Sequence, residues 1–248
     1  MTTRPIVAGA PPAPKSLVAR LIGVVTAPRG TFGSVAASPK WFGMLAVTAV
    51  LMAFFAALPM TTAGGRQAAI DVADAQMRSL QKMGIQVDAD KMHDQMEKTA
   101  GQLPYRNGGG VLVFAPIVAL VLAGILFAVF NAGLGGDASF KQVFAVVVHA
   151  GAISMLALAF SGTINFFRET LDSSTNLGTL VPFMSQDSFV VYLLGAIDLF
   201  RIWWVLVLSI GLAVLYRRRT QPIAMSLLSV YAVIAIAVAL FKSRAGGA

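Results

Sequence analysis

Long apolar runs alternate with short polar segments along this chain, and the runs set the predicted elements. Crossing about 30 Å of hydrocarbon takes about 20 apolar residues in an α-helix. Segments 41–60, 111–133 and 222–241 carry no charged residue and meet that demand, with Pro116 predicting a bend in the second. Segment 142–162 qualifies as a third span in chain order, interrupted only by His149. The remaining run, Ile202 to Tyr216, is too short. Its helix must therefore begin at Asp198, and the nineteen steps from Asp198 to Arg217 cover about 28 Å.

That extension takes in an aspartate and an arginine three residues apart, in the stretch AIDLFRIWW, Ala196 to Trp204. A carboxylate in the first turn of a helix is favoured by the dipole and a cation is not, so Asp198 is expected to compensate Arg201. Trp203 and Trp204 fit an aromatic belt at that face, and Tyr216 fits one at the other.

Two further elements flank the first span. Ser16 to Thr26 reads as an amphipathic interfacial helix capped by Ser16, with Leu17, Val18, Leu21, Ile22 and Val25 on one arc and Ala19, Arg20 and Gly23 opposite. Pro28 ends it or starts another short helix, and the Pro-rich head, AGAPPAPK, is expected to be a disordered leader. Between the first two spans, Thr61 to Gly110 is the one sizeable polar segment. Helical spacing of Ile70, Ala73, Met77 and Leu80, a stop at Gly84 and a cap at Asp88 predict a two-helix hairpin over 64–106, with ion pairs Asp74–Arg78 and Asp94–Lys98. Gly64-Gly65 and Gly108-Gly109-Gly110 are expected to be its hinges.

Composition agrees with a membrane protein: 57% of residues are hydrophobic and 12% charged, against about 25% charged in a soluble domain. The net charge of +8 lies in clusters beside apolar runs, which marks a membrane topology and argues against a nucleic-acid partner. Arg4, Lys15, Arg20, Arg29, Lys40, Lys141 and Arg217-Arg218-Arg219 fall on one side, in an arm and two short loops. That side is expected to be cytoplasmic, in a bacterial cytoplasmic (inner) membrane. Five spans then leave the C-terminus extracytoplasmic. The fold class is all-α, a polytopic five-helix membrane domain, 41–248, preceded by a cytoplasmic arm, 1–40.

Catalytic chemistry has little to stand on. The chain has no cysteine and two histidines, no HExxH helix, no GxSxG elbow and no Walker loop. LGGDAS, Leu134 to Ser139, lacks the lysine and preceding strand of a phosphate cradle and reads as an interhelical turn. KMHDQM, Lys91 to Met96, holds ligand types suited to copper(I), but Met92 and Met96 share a helix face and are expected to fill the hairpin seam, with His93 pointing elsewhere. His149 is an ionisable group inside a span, expected to be a neutral imidazole bonded to a neighbouring helix. No cofactor, metal or catalytic residue is expected.

Three stretches resemble the Yip1-domain family of polytopic membrane proteins, in a likeness running from about Lys15 to Phe241. They are TAPRGTFGSVAASPKW (26–41), GGDASFKQVFAVVVHAG (135–151) and IDLFRIWWVLVLSIGL (197–212). The resemblance implies five helices with the N-terminus inside, and its Asp-x-Phe-x-x-Trp pattern falls on Asp198, Phe200 and Trp203; Pro28, His149, Arg201 and Gly211, within the same stretches, complete the candidate residues. Eukaryotic members of that family are trafficking factors that associate with Rab GTPases. The short arm here lacks their tyrosine-rich motifs, so Rab binding is not carried over, and the chain looks like a bacterial-branch member. The expected role is a non-enzymatic membrane organiser or adaptor that binds membrane lipid, an unidentified protein partner, or a second copy of itself. The alternative is a transporter or channel subunit using His149, Asp198, Arg201 and the Pro116 bend.

Overall fold

The third apolar run becomes the hub of the fold. The computed structural model describes residues 16–82, 84–173, 175–181, 183–185 and 188–246, so the Pro-rich head lies outside the described residues. Ten α-helices occur among them: α1 (Leu17–Thr26), α2 (Pro28–Ala37), α3 (Phe42–Ala57), α4 (Ala63–Lys82), α5 (Ala89–Lys98), α6 (Leu103–Phe127), α7 (Phe140–Arg168), α8 (Phe189–Ala196), α9 (Leu199–Leu215) and α10 (Thr220–Gly246). No strand occurs among the described residues. The chain is a polytopic all-α membrane protein.

Helix α7 opens on a capping box, in which the Ser139 hydroxyl accepts from the Gln142 backbone N–H and the Gln142 side chain accepts in return from the Ser139 N–H. Its residues Val143 to Ala150 are buried on every side, as an apolar helix without a polar face must be. Helices α3, α6 and α9 pack around it, and α10 closes against α9. Glycines set two of these approaches. A Cβ at Gly162 would overlap the Phe55 carbonyl of α3, and one at Gly211 would press on Val146 of α7 and Phe32 of α2. Gly151, on the same helix as Gly162, faces open space.

Among the described residues four helices are long and apolar enough to cross a membrane: Phe42–Thr61, Ala100–Gly133, Phe140–Arg168 and Thr220–Ser243. The fourth expected span, α9, has 17 helical residues, about 25 Å. It starts at the predicted place but is preceded by α8, a separate apolar helix that unbroken hydropathy in the sequence does not announce.

The largest departure from expectation is at the hairpin exit. Gly108-Gly109-Gly110 is not a hinge, because α6 runs through it from Leu103. Tertiary contacts hold those glycines helical: the Asn107 side-chain amide donates to the Ala56 carbonyl at 2.6 Å, and Gly108 lies against the Ala53 backbone. Gly64 and Gly65 are likewise helical, inside α4. At Gly65 a Cβ would overlap the Pro59 carbonyl, so glycine is needed for the tight passage from α3 into the hairpin.

Candidate functional site

The basic face is built from three segments. Arg29 of α2 donates to the Thr220 hydroxyl at 3.2 Å, and Arg218 donates to the Leu134 carbonyl at 2.7 Å. Tyr216 donates to the Asn131 side chain at 2.7 Å, and the Gln142 amide donates to the Ala36 carbonyl at 2.9 Å. The arm, the 134–139 turn and the 216–219 turn are thereby tied into one platform. Pro28 occupies the first position of α2, where its missing N–H has no intrahelical partner to lose and its fixed φ suits the helix. Helix α2 then delivers Phe32, fully buried, to Gly211 on α9. The arm is thus docked on the bundle.

Helix α1 is capped as expected, with the Ser16 hydroxyl accepting from the Ala19 N–H. Its orientation is the informative part. Val18 and Ile22 are 61% and 56% exposed, while Arg20, on the opposite arc, turns inward. The Arg20 guanidinium donates from Nη1 to the Lys40 carbonyl at 2.7 Å and to His149 Nε2 at 3.2 Å. Arginine has only donors to offer, so Nε2 is the acceptor. Nδ1 therefore carries the proton and donates to the Ala145 carbonyl at 2.7 Å. This assigns a neutral, fully buried imidazole whose partner element is the arm rather than another span. The sequence wheel placed Arg20 opposite the apolar arc but gave no sign that it would face protein.

At the other end of the bundle, Asp198 is the N-cap of α9. One carboxylate oxygen accepts from the Arg201 backbone N–H at 2.9 Å and the other accepts from the Thr175 hydroxyl. Backbone bonds from Leu177 N–H to Ile197 and from Leu199 N–H to Thr175 finish the junction. The expected Asp198–Arg201 ion pair is not among those formed by the described residues. The carboxylate is engaged in capping the helix and in pinning the preceding loop. Phe200 and Trp203 are half-buried, with Phe200 5.8 Å from the Phe160 ring and 6.0 Å from that of Trp203, so the aromatic positions wedge α9 onto α7. Thr175 is a partner that sequence reasoning missed, since nothing in its neighbourhood marks it.

In the hairpin, α4 and α5 form as predicted, but their seam differs. His93 crosses it, with Nδ1 2.7 Å from Asp74 Oδ2, while Nε2 lies 3.5 Å from Glu97. Met92 is 44% exposed and only Met96 packs toward Ile70. Neither Asp74–Arg78 nor Asp94–Lys98 forms an ion pair among the described residues. The hydrogen bond to Asp74, and then its negative charge, raise the His93 pKa above its ordinary value. Protonation is favoured in the folded hairpin, so its contribution is complete below about pH 6.5 and is lost as pH rises through the raised value. Hairpin amides are expected to exchange faster at about pH 8.5 than at about pH 5.5, after correction for intrinsic rates, and His93→Gln is expected to remove the difference. Equal protection at both pH values in the parent would contradict the clasp.

Among the described residues no group of three or more His, Asp or Glu side chains is placed to hold a metal ion. The residues singled out in sequence fall at two separate places: His149, Pro28 and Gly211 with the arm, and Asp198, Phe200, Arg201 and Trp203 at the opposite end. Pro116 lies in α6, of whose apolar window 11% is buried.

The family model for the Yip1 domain matches residues 22–241. The chain belongs to the Yip1-domain family. It is also similar to a Bacillus subtilis (strain 168) protein described as membrane protein YknW, with 24% identity over 194 residues, covering 77% of this chain and 76% of that one. No solved structure matches it at comparable significance. The family match takes in α2, His149 and the Asp198 junction, and begins two residues after Arg20.

Proposed function

We propose that this Yip1-domain protein is a non-enzymatic organiser or adaptor of the bacterial cytoplasmic membrane, with its N-terminus cytoplasmic and its C-terminus extracytoplasmic. The observation that carries the reading is the arm. Arg20 fastens α1 to the bundle from one side and leaves Val18, Ile22 and Val25 facing outward beside the basic platform. A fixed apolar ridge flanked by cations suits the interface of an anionic membrane and a protein partner seated there. Yip1-domain membership supports a membrane role without assigning a reaction.

Topology and partner binding are tested together. Because the chain has no cysteine, Gln81→Cys is expected to react with an impermeant maleimide in intact cells and Ser16→Cys is not; the reverse pattern inverts the orientation. Cross-linked capture from native membranes is expected to return one reproducible protein partner with the parent and to lose it with Val18→Glu/Ile22→Glu. A rise in thermal stability with a small solute, and no partner, would favour a transporter.

A further inference from the structure

Arg201 is the residue the structure leaves unexplained. It lies in the first turn of α9, where the helix dipole disfavours a cation, and the nearby Asp198 carboxylate is engaged by Thr175 and a backbone N–H. Its side chain enters a cleft of about 830 Å³ with Arg168, from the last turn of α7, and Lys242, near the end of α10. None of the three forms an ion pair among the described residues. The dipole accounts for Arg168 and Lys242, which sit toward helix C-termini, but not for Arg201. Asp172 is the acidic residue lining the cleft among those described, so three cations face one carboxylate.

We propose that this cleft binds the phosphate of an anionic membrane phospholipid at the end of the bundle opposite the arm. Two guanidinium forks and an ammonium match a phosphodiester, arginine in paired hydrogen bonds and lysine as a point charge. The walls identify the source. Val238 on α10 is 43% exposed on a membrane-spanning helix, and it lines the same cleft as the cations, with Lys242 placed 5.9 Å over the Tyr192 ring. A phosphate held there has an apolar wall on which its acyl chain lies. The adjoining cleft, about 600 Å³, shares Arg201 and Asp172 and is also lined by Asn165. Asn165 is buried, and its Oδ1 has no hydrogen-bond partner among the described residues.

The inference rests on the lipid half of the proposed function but uses neither the arm nor a protein partner. The test measures thermal unfolding and native-mass-spectrometric lipid retention of the full chain in detergent, titrated with phosphatidylglycerol, phosphatidylcholine or inorganic phosphate. Phosphatidylglycerol is expected to stabilise the parent and phosphatidylcholine is not. Arg168→Gln/Arg201→Gln is expected to weaken phosphatidylglycerol binding roughly 25-fold, about fivefold per cation. Arg78→Gln/Arg106→Gln, an equal charge change at exposed residues outside both the cleft and the basic platform, is expected to leave the tightest-bound lipid in place. Lys242→Gln, at the exposed end of α10, provides an independent variant if the arginine pair unfolds. Equal losses in both arginine pairs, or retention in the Arg168/Arg201 and Lys242 variants, overturns the site. Stabilisation by inorganic phosphate equal to that by phosphatidylglycerol overturns its assignment to lipid. Loss of the protein partner with lipid retention intact would count against the adaptor reading alone.

Discussion

Replacing Gly162 by alanine is expected to destabilise the bundle by about 3 kcal/mol, at the upper end of ordinary overpacking. The added methyl group would overlap the backbone carbonyl of Phe55. A carbonyl inside a helix cannot swing aside as a side-chain tip would, so α3 and α7 must separate along their contact. Gly151→Ala is the matched control on the same helix. Nothing lies within 4 Å of its added Cβ, and removing a helical glycine is worth up to about 1 kcal/mol in its favour. Unfolding of both variants in the same detergent, followed by helical circular dichroism, is expected to give shifts of opposite sign. A Gly162→Ala protein as stable as the parent would show that the two helices are farther apart than the structure has them.

Asp198→Ala is expected to cost about 2–3 kcal/mol, combining a lost N-cap of about 1–2 with the lost bond from Thr175 of about 1. Thr175→Val removes only the second part and is expected to cost about 1 kcal/mol. Arg201→Ala is expected to be mild, because its backbone N–H, not its guanidinium, meets the carboxylate. Charge compensation alone would instead let the Asp198→Ala/Arg201→Ala double variant regain part of the loss. Capping predicts no recovery, and a double-mutant cycle on unfolding free energy separates the two. Recovery of more than about 0.5 kcal/mol would restore the ion-pair account.

Both variants probe decisions that a linear pattern does not contain. The apolar runs determined that this is a polytopic helical membrane protein, because unpaired backbone in hydrocarbon leaves a helix as the available form for each run. Local signals were equally legible at Ser16 and Asp88, where a side-chain oxygen reaches an N–H within three residues of its own position. These are short-range effects, fixed by neighbours in the chain.

The rest was decided by contacts far apart in sequence. Gly108 to Gly110 carries the composition of a hinge, yet Asn107 and Gly108 meet α3 about fifty residues earlier and the run is helical. Gly151 and Gly162 are alike as letters, but only one lies against another backbone. Arg20 and His149 are separated by 129 residues, and periodicity assigns each to a face of its own helix without saying what that face meets. Asp198 lies beside Arg201 in the sequence, yet its carboxylate is held by Thr175 and the helix backbone once the loop folds back. Sequence determined which segments enter the membrane, since burial in lipid depends on each segment's own polarity. Tertiary structure alone decided which polar groups face one another, since that depends on how the helices pack once they are there.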